Sequence, residues 1–168
     1  MLSNVVTTPG ATLHPELSME RHIAAFVRSS FFHIRSLCKV RPYITCKAAS
    51  SIAVCLILPK LDYCNGLLLG LPPKQIKRPQ AVQHAAARTV MKCRKTDHIA
   101  PILRQLHWLP IQNRICHKII SATYLSVHDN TAPYLSDILH RHTPSRLLRS
   151  ASRFLLDVLR PRDSKTKR

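Results

Sequence analysis

Residues 61–92 read LDYCNGLLLGLPPKQIKRPQAVQHAAARTVMK, and the fold follows from how this stretch is punctuated. Gly66 and Gly70 are two of only three glycines in the chain. Gly70-Leu71-Pro72-Pro73 closes one helical run and opens another, since glycine suits a left-handed C-cap and proline suits a first helical position. Placing the residues that follow at about 100° per position sets Lys74, Lys77, Arg78, Arg88 and Lys92 within one arc. Ile76, Pro79, Ala86, Ala87 and Val90 fall on the opposite side. A helix so patterned buries one face and offers a cationic stripe to something acidic. The helix carries no acid of its own to pair with those charges. The stripe therefore points to binding rather than catalysis.

Pro79 conflicts with this pattern. It lies well inside the helix on the buried side, where proline removes a hydrogen bond and costs about 3 kcal/mol. Either the helix begins beyond it or the position carries a damaging substitution, and we favour the second.

Upstream, residues 1–17 contain Pro9, Gly10 and Pro15 without periodicity and read as a disordered leader. Ser18 is placed to cap a helix ending near Val40, with Glu20 in a first turn that favours a carboxylate. Its core candidates are Ile23, Phe26, Val27, Ile34 and Leu37, while Arg21, Arg28, Arg35 and Lys39 should stay wet. Arg41-Pro42 ends it, because a residue before proline is pushed out of the helical region. Thr45 looks like the next N-cap, with a helix to about Leu58 that Pro59 breaks. A short helix over 61–69 then closes at Gly70.

Downstream, residues 94–100 form a polar connector, and Pro101 opens a short helix to His107. Trp108-Leu109-Pro110 makes an apolar corner, with the single tryptophan as a core anchor. A longer helix over 111–127 places Ile111, Ile115, Ile119 and Ala122 on one face and ends at Asp129-Asn130. Residues 132–139 give one more short helix. From 141 onward the pattern fails and a basic tail follows, in which Arg146, Arg149, Arg153 and residues 160–168 add a diffuse cationic grip. Period-two alternation is absent, so no sheet is expected.

Three blocks carry a resemblance: LDYCNGLLLGLP, then IKR with QAVQ and AAAR, then TDHIAPILRQLHWLPIQNRI over 96–115. Together they resemble the C-terminal part of reverse transcriptases from non-LTR, LINE-type retrotransposons, most closely the chicken-repeat-like and jockey-type groups. The likeness covers residues 19–162, and LDYCN and LHWLP are its most specific blocks. It implies a thumb-like helical region beyond the polymerase palm, gripping a template–primer or element RNA, with the remaining parts of such an enzyme as a partner. The chain departs from the family in three places. The family has leucine at the position of Pro79. It has threonine or serine where Ala100 precedes Pro101, so a helix cap worth about 1 kcal/mol is lost. The Tyr-Gly…Trp-Asn-Leu-Pro block that follows in the family is absent, so the chain is expected to be truncated.

Composition agrees with a binding role. The 168 residues suit one domain, or one domain with a tail. Twenty-six Lys and Arg against eight Asp and Glu give a net charge of +18, a surface that usually meets phosphate. Cys38, Cys46, Cys55, Cys64, Cys93 and Cys116 sit mostly beside apolar neighbours, and no basic-then-apolar leader precedes them. They read as reduced thiols acting as small hydrophobes in an intracellular protein, nuclear or cytoplasmic. The longest apolar run, over 51–58, is far too short to span a bilayer.

Catalytic constellations find no support. Polymerisation needs paired aspartates holding two metal ions, yet no two acids here are adjacent. Asp62-Tyr63 reverses the order such a motif requires, and a helix-cap or arginine-paired role suits Asp62 better. Ten histidines and six cysteines show no C-x-x-C or finger-type spacing. No G-x-G-x-x-G or Walker loop occurs.

The sequence therefore predicts an all-α, irregular bundle of about five to seven helices, with 1–17 a disordered leader, 18–140 a thumb-like domain and 141–168 a basic, mostly unstructured tail. The expected function is that of a catalytically inactive reverse-transcriptase fragment binding RNA or DNA without sequence preference. Lys74, Lys77, Arg78, Arg88, Lys92, Arg94 and Lys95 are the binding residues. No metal, cofactor, small-molecule substrate or membrane is implied. The alternatives are a module that docks on a protein through exposed apolar helix faces, or a decayed reading frame without selected function.

Overall fold

The computed structural model describes residues 6–8, 11–13, 19–63, 65–128, 133–140, 142 and 155–157. Its helices are α1 (Glu20–Val40), α2 (Cys46–Leu56), α3 (Leu58–Asp62), α4 (Pro73–Met91), α5 (Ile99–Gln105), α6 (Ile111–His128) and α7 (Pro133–Ser136), with 3-10 turns at Arg41–Tyr43 and Asn65–Leu68. The protein is an irregular helical bundle. The chain forms two compact units, Met1–Lys118 and Ile119–Arg168.

The first unit is built on α4, which packs against α1, α2 and α5. Pro79, Val82, Gln83, Ala86, Ala87 and Val90 are buried at a spacing of three and four, the period of one helix face. Small residues dominate the contact: Ala86 and Ala87 on α4, and Ala49 and Ala53 on α2, are fully buried and let the backbones approach closely. Ile23, Ile34 and Leu37 of α1 are buried as expected, Phe26 and Val27 only partly. Ile57, Leu61, Ile111 and Ile115 complete the core, each contributing about 1.5–3 kcal/mol through burial. Arg21, Arg28, Arg35 and Lys39 stay exposed.

Punctuation accounts for most boundaries. The Thr45 hydroxyl accepts the Ala48 N–H at 3.2 Å and caps α2. Pro59 falls in the first turn of α3, which follows α2 after the single residue Ile57. Gly70 takes φ +80°, a left-handed value that glycine adopts without a Cβ penalty. Three expectations need correction, and one alternative, a later start of α4, falls away. Met19, rather than Ser18, occupies the N-cap of α1, with no side-chain cap bond; Ser18 lies outside the described residues. The single helix expected over 61–69 is instead the end of α3 and a separate 3-10 turn. Pro79 does not delay α4, which begins at Pro73 and runs through it. The start of α5 lies before Ala100, with His98 as its N-cap and no side-chain cap bond.

Helices α4 and α5 end in the same way. After α4, the N–H of Cys93 bonds to Arg88 O at 3.0 Å and that of Lys92 to Thr89 O at 3.4 Å, with Lys92 at φ 55°. After α5, Trp108 N–H bonds to Leu103 O at 2.8 Å and His107 N–H to Arg104 O at 3.0 Å, with His107 at φ 55°. Both are Schellman turns in which a side-chain-bearing residue occupies the position usually given to glycine.

The N-terminal stretch expected to be disordered contains a short antiparallel pair. Strands β1 (Val6–Thr8) and β2 (Ala11–Leu13) pair with Val6 opposite Leu13 and Thr8 opposite Ala11. β-branched Val6, Thr7, Thr8 and Thr12 favour the extended chain. In the second unit, Ile119 is half-buried but Ala122, expected on the core face of α6, is exposed, while Ser126 is buried. Tyr124 and His128 stack at 4.3 Å. His142 N–H bonds to Leu155 O and Asp157 N–H to His140 O, each at 2.9 Å, and His142 Nδ1 meets Asp157 Oδ1 at 2.6 Å. Asp129-Asn130, Arg146, Arg149, Arg153 and residues 160–168 lie outside the described residues, as does Cys64.

Candidate nucleic-acid interface

Two sequence blocks, one at the end of α3 and one at the Trp108 corner, brace the start of α6. Arg114 joins them: its guanidinium pairs with the Asp62 carboxylate and donates from Nε to Leu109 O at 3.1 Å. Asp62 O also accepts from Lys118 Nζ at 3.1 Å. Asp62 is thus an arginine-paired residue, one of the two roles expected for it.

Gln80 and Gln83 hold the same corner from the other side. Gln80 Oε1 accepts the N–H of Ile111, the first residue of α6, at 2.9 Å. That N–H has no partner within its own helix, so a side chain from α4 supplies one. Gln83, fully buried, donates from Nε2 to Leu109 O at 2.7 Å and accepts from Gln80 Nε2 at 2.8 Å. Gln80 Nε2 also meets His84 Nε2 at 2.7 Å. Because the amide nitrogen only donates, the imidazole accepts there, so its proton sits on Nδ1. Burial, and secondarily the Arg88 charge, hold His84 below its ordinary pKa of 6.5.

The far end of α4 is closed by Arg41. Its Nε and Nη2 donate to Val90 O at 2.9 and 2.7 Å, and its Nη1 donates to Ile44 O at 2.9 Å. A cation at a helix C-terminus complements both the unpaired carbonyls and the helix dipole.

With its middle held by Gln80 and Gln83 and its end by Arg41, α4 carries the cations on the opposite face. Lys74, Lys77 and Arg78 are exposed in its first two turns. Arg88 is half-buried near its last turn and donates to Asp97 O at 3.3 Å, while its Nε has no partner. Lys92, Arg94 and Lys95 are exposed beyond it. Among the described residues none of these seven takes part in an ion pair. The Asp97 carboxylate turns instead to the Arg94 backbone N–H at 2.7 Å. Along the chain the cations form two clusters. Arg78 and Arg88 stand ten residues apart, about 15 Å, with neutral Ala81 and Ala85 between them.

Two hollows flank this face. A shallow cavity of about 480 Å³ is lined by Ala81, Ala85, Arg88, Thr89 and Lys95, with His84 at its edge. A larger cleft of about 790 Å³ lies between α4, α5 and the Trp108 corner, and His84 borders this one too. Nothing in the sequence marked Gln80, Gln83 or His84, because their partners are 26 or more residues away or lie one helical turn along.

Among the described residues, no three of His, Cys, Asp and Glu gather closely enough to hold a metal ion. Cys38, Cys46 and Cys55 are exposed, not packed as small hydrophobes, whereas Cys93 and Cys116 are half-buried; all five are free thiols. No described helix is long and apolar enough to cross a membrane. Comparison with known protein families, with curated proteins and with solved structures finds no match to this chain.

Proposed function

We propose that the chain binds RNA or DNA non-specifically through the cationic face of α4, and that it is a binding element rather than a polymerase. The observation that carries this reading is the set of seven cationic residues, none in an ion pair among the described residues, on and beyond a helix whose other face is buried from Pro79 to Val90. A face that served only solubility would have no need of single-sign charge. The resemblance of LDYCN and LHWLP to the region beyond the palm of non-LTR retrotransposon reverse transcriptases supports the same reading, and with it an origin in that family. The absence of paired aspartates in the sequence supports the lack of polymerase activity.

Phosphate contacts make affinity depend on salt. Five contacts to a single strand give a slope of about −3.5 in log K against log salt, a loss of about a hundredfold between 50 and 200 mM. The test is a salt series on labelled oligonucleotides with the parent and with a Lys77→Glu/Arg78→Glu/Lys95→Glu variant. All three positions are exposed, so the fold should be retained. The variant should bind much more weakly, with a shallower slope. Equal affinity and equal slope would remove α4 as the interface.

A second reading rests on the exposed aromatic side chains Phe32, at 61%, and Tyr43, at 88%. Docking of a protein partner there would show as salt-insensitive association.

A further inference from the structure

The larger cleft and the cationic face share a border, and the border decides what kind of nucleic acid fits. Ile99, Leu103 and Trp108 supply apolar walls of the cleft, Arg104, His107 and Asn113 supply polar groups, and the mutually bonded Gln80 and His84 complete its lining. Its volume of about 790 Å³ lies in the range of ligand sites, and apolar walls with a few polar groups are their usual chemistry. His84 also borders the shallow cavity where Arg88 and Lys95 stand. No Asp or Glu lines either hollow. A ligand spanning both would be planar and weakly polar at one end and anionic at the other.

We infer that the cleft receives an unstacked base of a single-stranded nucleic acid whose adjoining phosphates lie on Arg88 and Lys95. The inference rests on the proposed nucleic-acid binding and deepens it by naming the strand state. A duplex keeps its bases stacked inward and cannot fill the cleft. A single strand can splay a base outward, bury its face against apolar walls and present its edge to polar side chains. The polar groups left free to meet a base are the Asn113 carboxamide, the His107 imidazole and the Arg104 guanidinium, which together offer donors and acceptors and so admit any base.

Trp108 is the only tryptophan in the chain and lines the cleft, so its emission reports occupancy directly. The full chain is titrated with a single-stranded oligonucleotide, its fully abasic counterpart of equal length, and the duplex. Binding is read by anisotropy of a label on the oligonucleotide, and cleft occupancy by Trp108 emission. The same titrations are run on Ala100→Phe. Ala100 is exposed and lines the cleft, so the larger side chain fills it without entering the core.

The expected result is that Trp108 emission changes only with the base-bearing single strand. Ala100→Phe should bind that strand about tenfold more weakly, within the usual worth of one stacked base, and the abasic strand as the parent does. Binding of all three ligands with no selective response of Trp108, or an Ala100→Phe variant equal to the parent on every ligand, overturns the base slot while leaving α4 as a phosphate-binding face. Absence of any binding at low salt overturns both readings together.

Discussion

Replacing Arg41 tests the packing logic of the whole first unit. Its guanidinium makes three hydrogen bonds to two main-chain carbonyls, those of Val90 and Ile44, and the residue is 8% exposed. Arg41→Met keeps the aliphatic stem and removes every donor. A buried carbonyl left without a partner costs about 1–3 kcal/mol. Two such groups give roughly 2–6 kcal/mol, less what the Cys46 thiol retains by donating to Val90 O at 3.6 Å. Residual solvent access at this rim, together with the relieved desolvation of the charge, favours the lower half, about 2–4 kcal/mol. Arg41→Lys keeps the charge but not the planar fork, and should recover about half of that loss. Urea unfolding followed by circular dichroism measures both variants, with an unchanged slope showing that the unfolded ensemble is unaffected. An Arg41→Met protein within about 0.5 kcal/mol of the parent would refute the reasoning. It would mean that water satisfies both carbonyls and that the Schellman turn alone closes α4.

Two further outcomes follow from the same geometry. His84 is held below its ordinary pKa of 6.5, chiefly by burial, and His22 is lowered for the same reason. The unfolded chain therefore takes up protons first as pH falls below about 6.5. Stability present above that pH is lost as pH drops through the folded-state values, and denaturation at pH 7.5 and 5.5 should show the fall. Protonated His84 can no longer accept from Gln80, so His84→Gln should flatten part of the pH dependence; an unchanged profile would place its origin elsewhere. At Lys92 and His107, both at φ 55°, substitution by glycine removes a Cβ from a left-handed site. Each change should raise stability by up to about 1 kcal/mol after the added freedom of the unfolded chain is counted, read as a higher melting temperature.

The helices were legible where the chain carries its own stop and start marks. Thr45, Pro59, Gly70 and Pro73 act on their own neighbours, so a linear reading finds them. The buried arc of α4 was equally plain, because Pro79, Ala86, Ala87 and Val90 recur at helical spacing. Gln83 broke that reading: it is polar by type yet fully buried, since its amide serves Leu109 O 26 residues away. The left-handed turns at Lys92 and His107 were hidden because neither residue type announces a positive φ. The division of the cations into two clusters depends on Ala81 and Ala85, which carry no charge to mark the gap, and Lys92 stands past the helix end. Arg88 looked like a free phosphate contact and is partly held by the 93–98 connector through Asp97 O.

Pro79 has a consequence for how this surface meets a ligand. Lacking an N–H, it interrupts the amide-to-carbonyl ladder at the Gln75 carbonyl, so the turns carrying Lys74, Lys77 and Arg78 are only loosely coupled to the rest of α4. The last turn is clamped by Arg41 through Val90 O. Such a helix opens locally from its start at a free energy well below that of global unfolding, while its end exchanges amide protons only with the core. A polyanion thus meets a compliant half, whose cations adjust to the spacing of phosphates, beside a rigid half that sets the register.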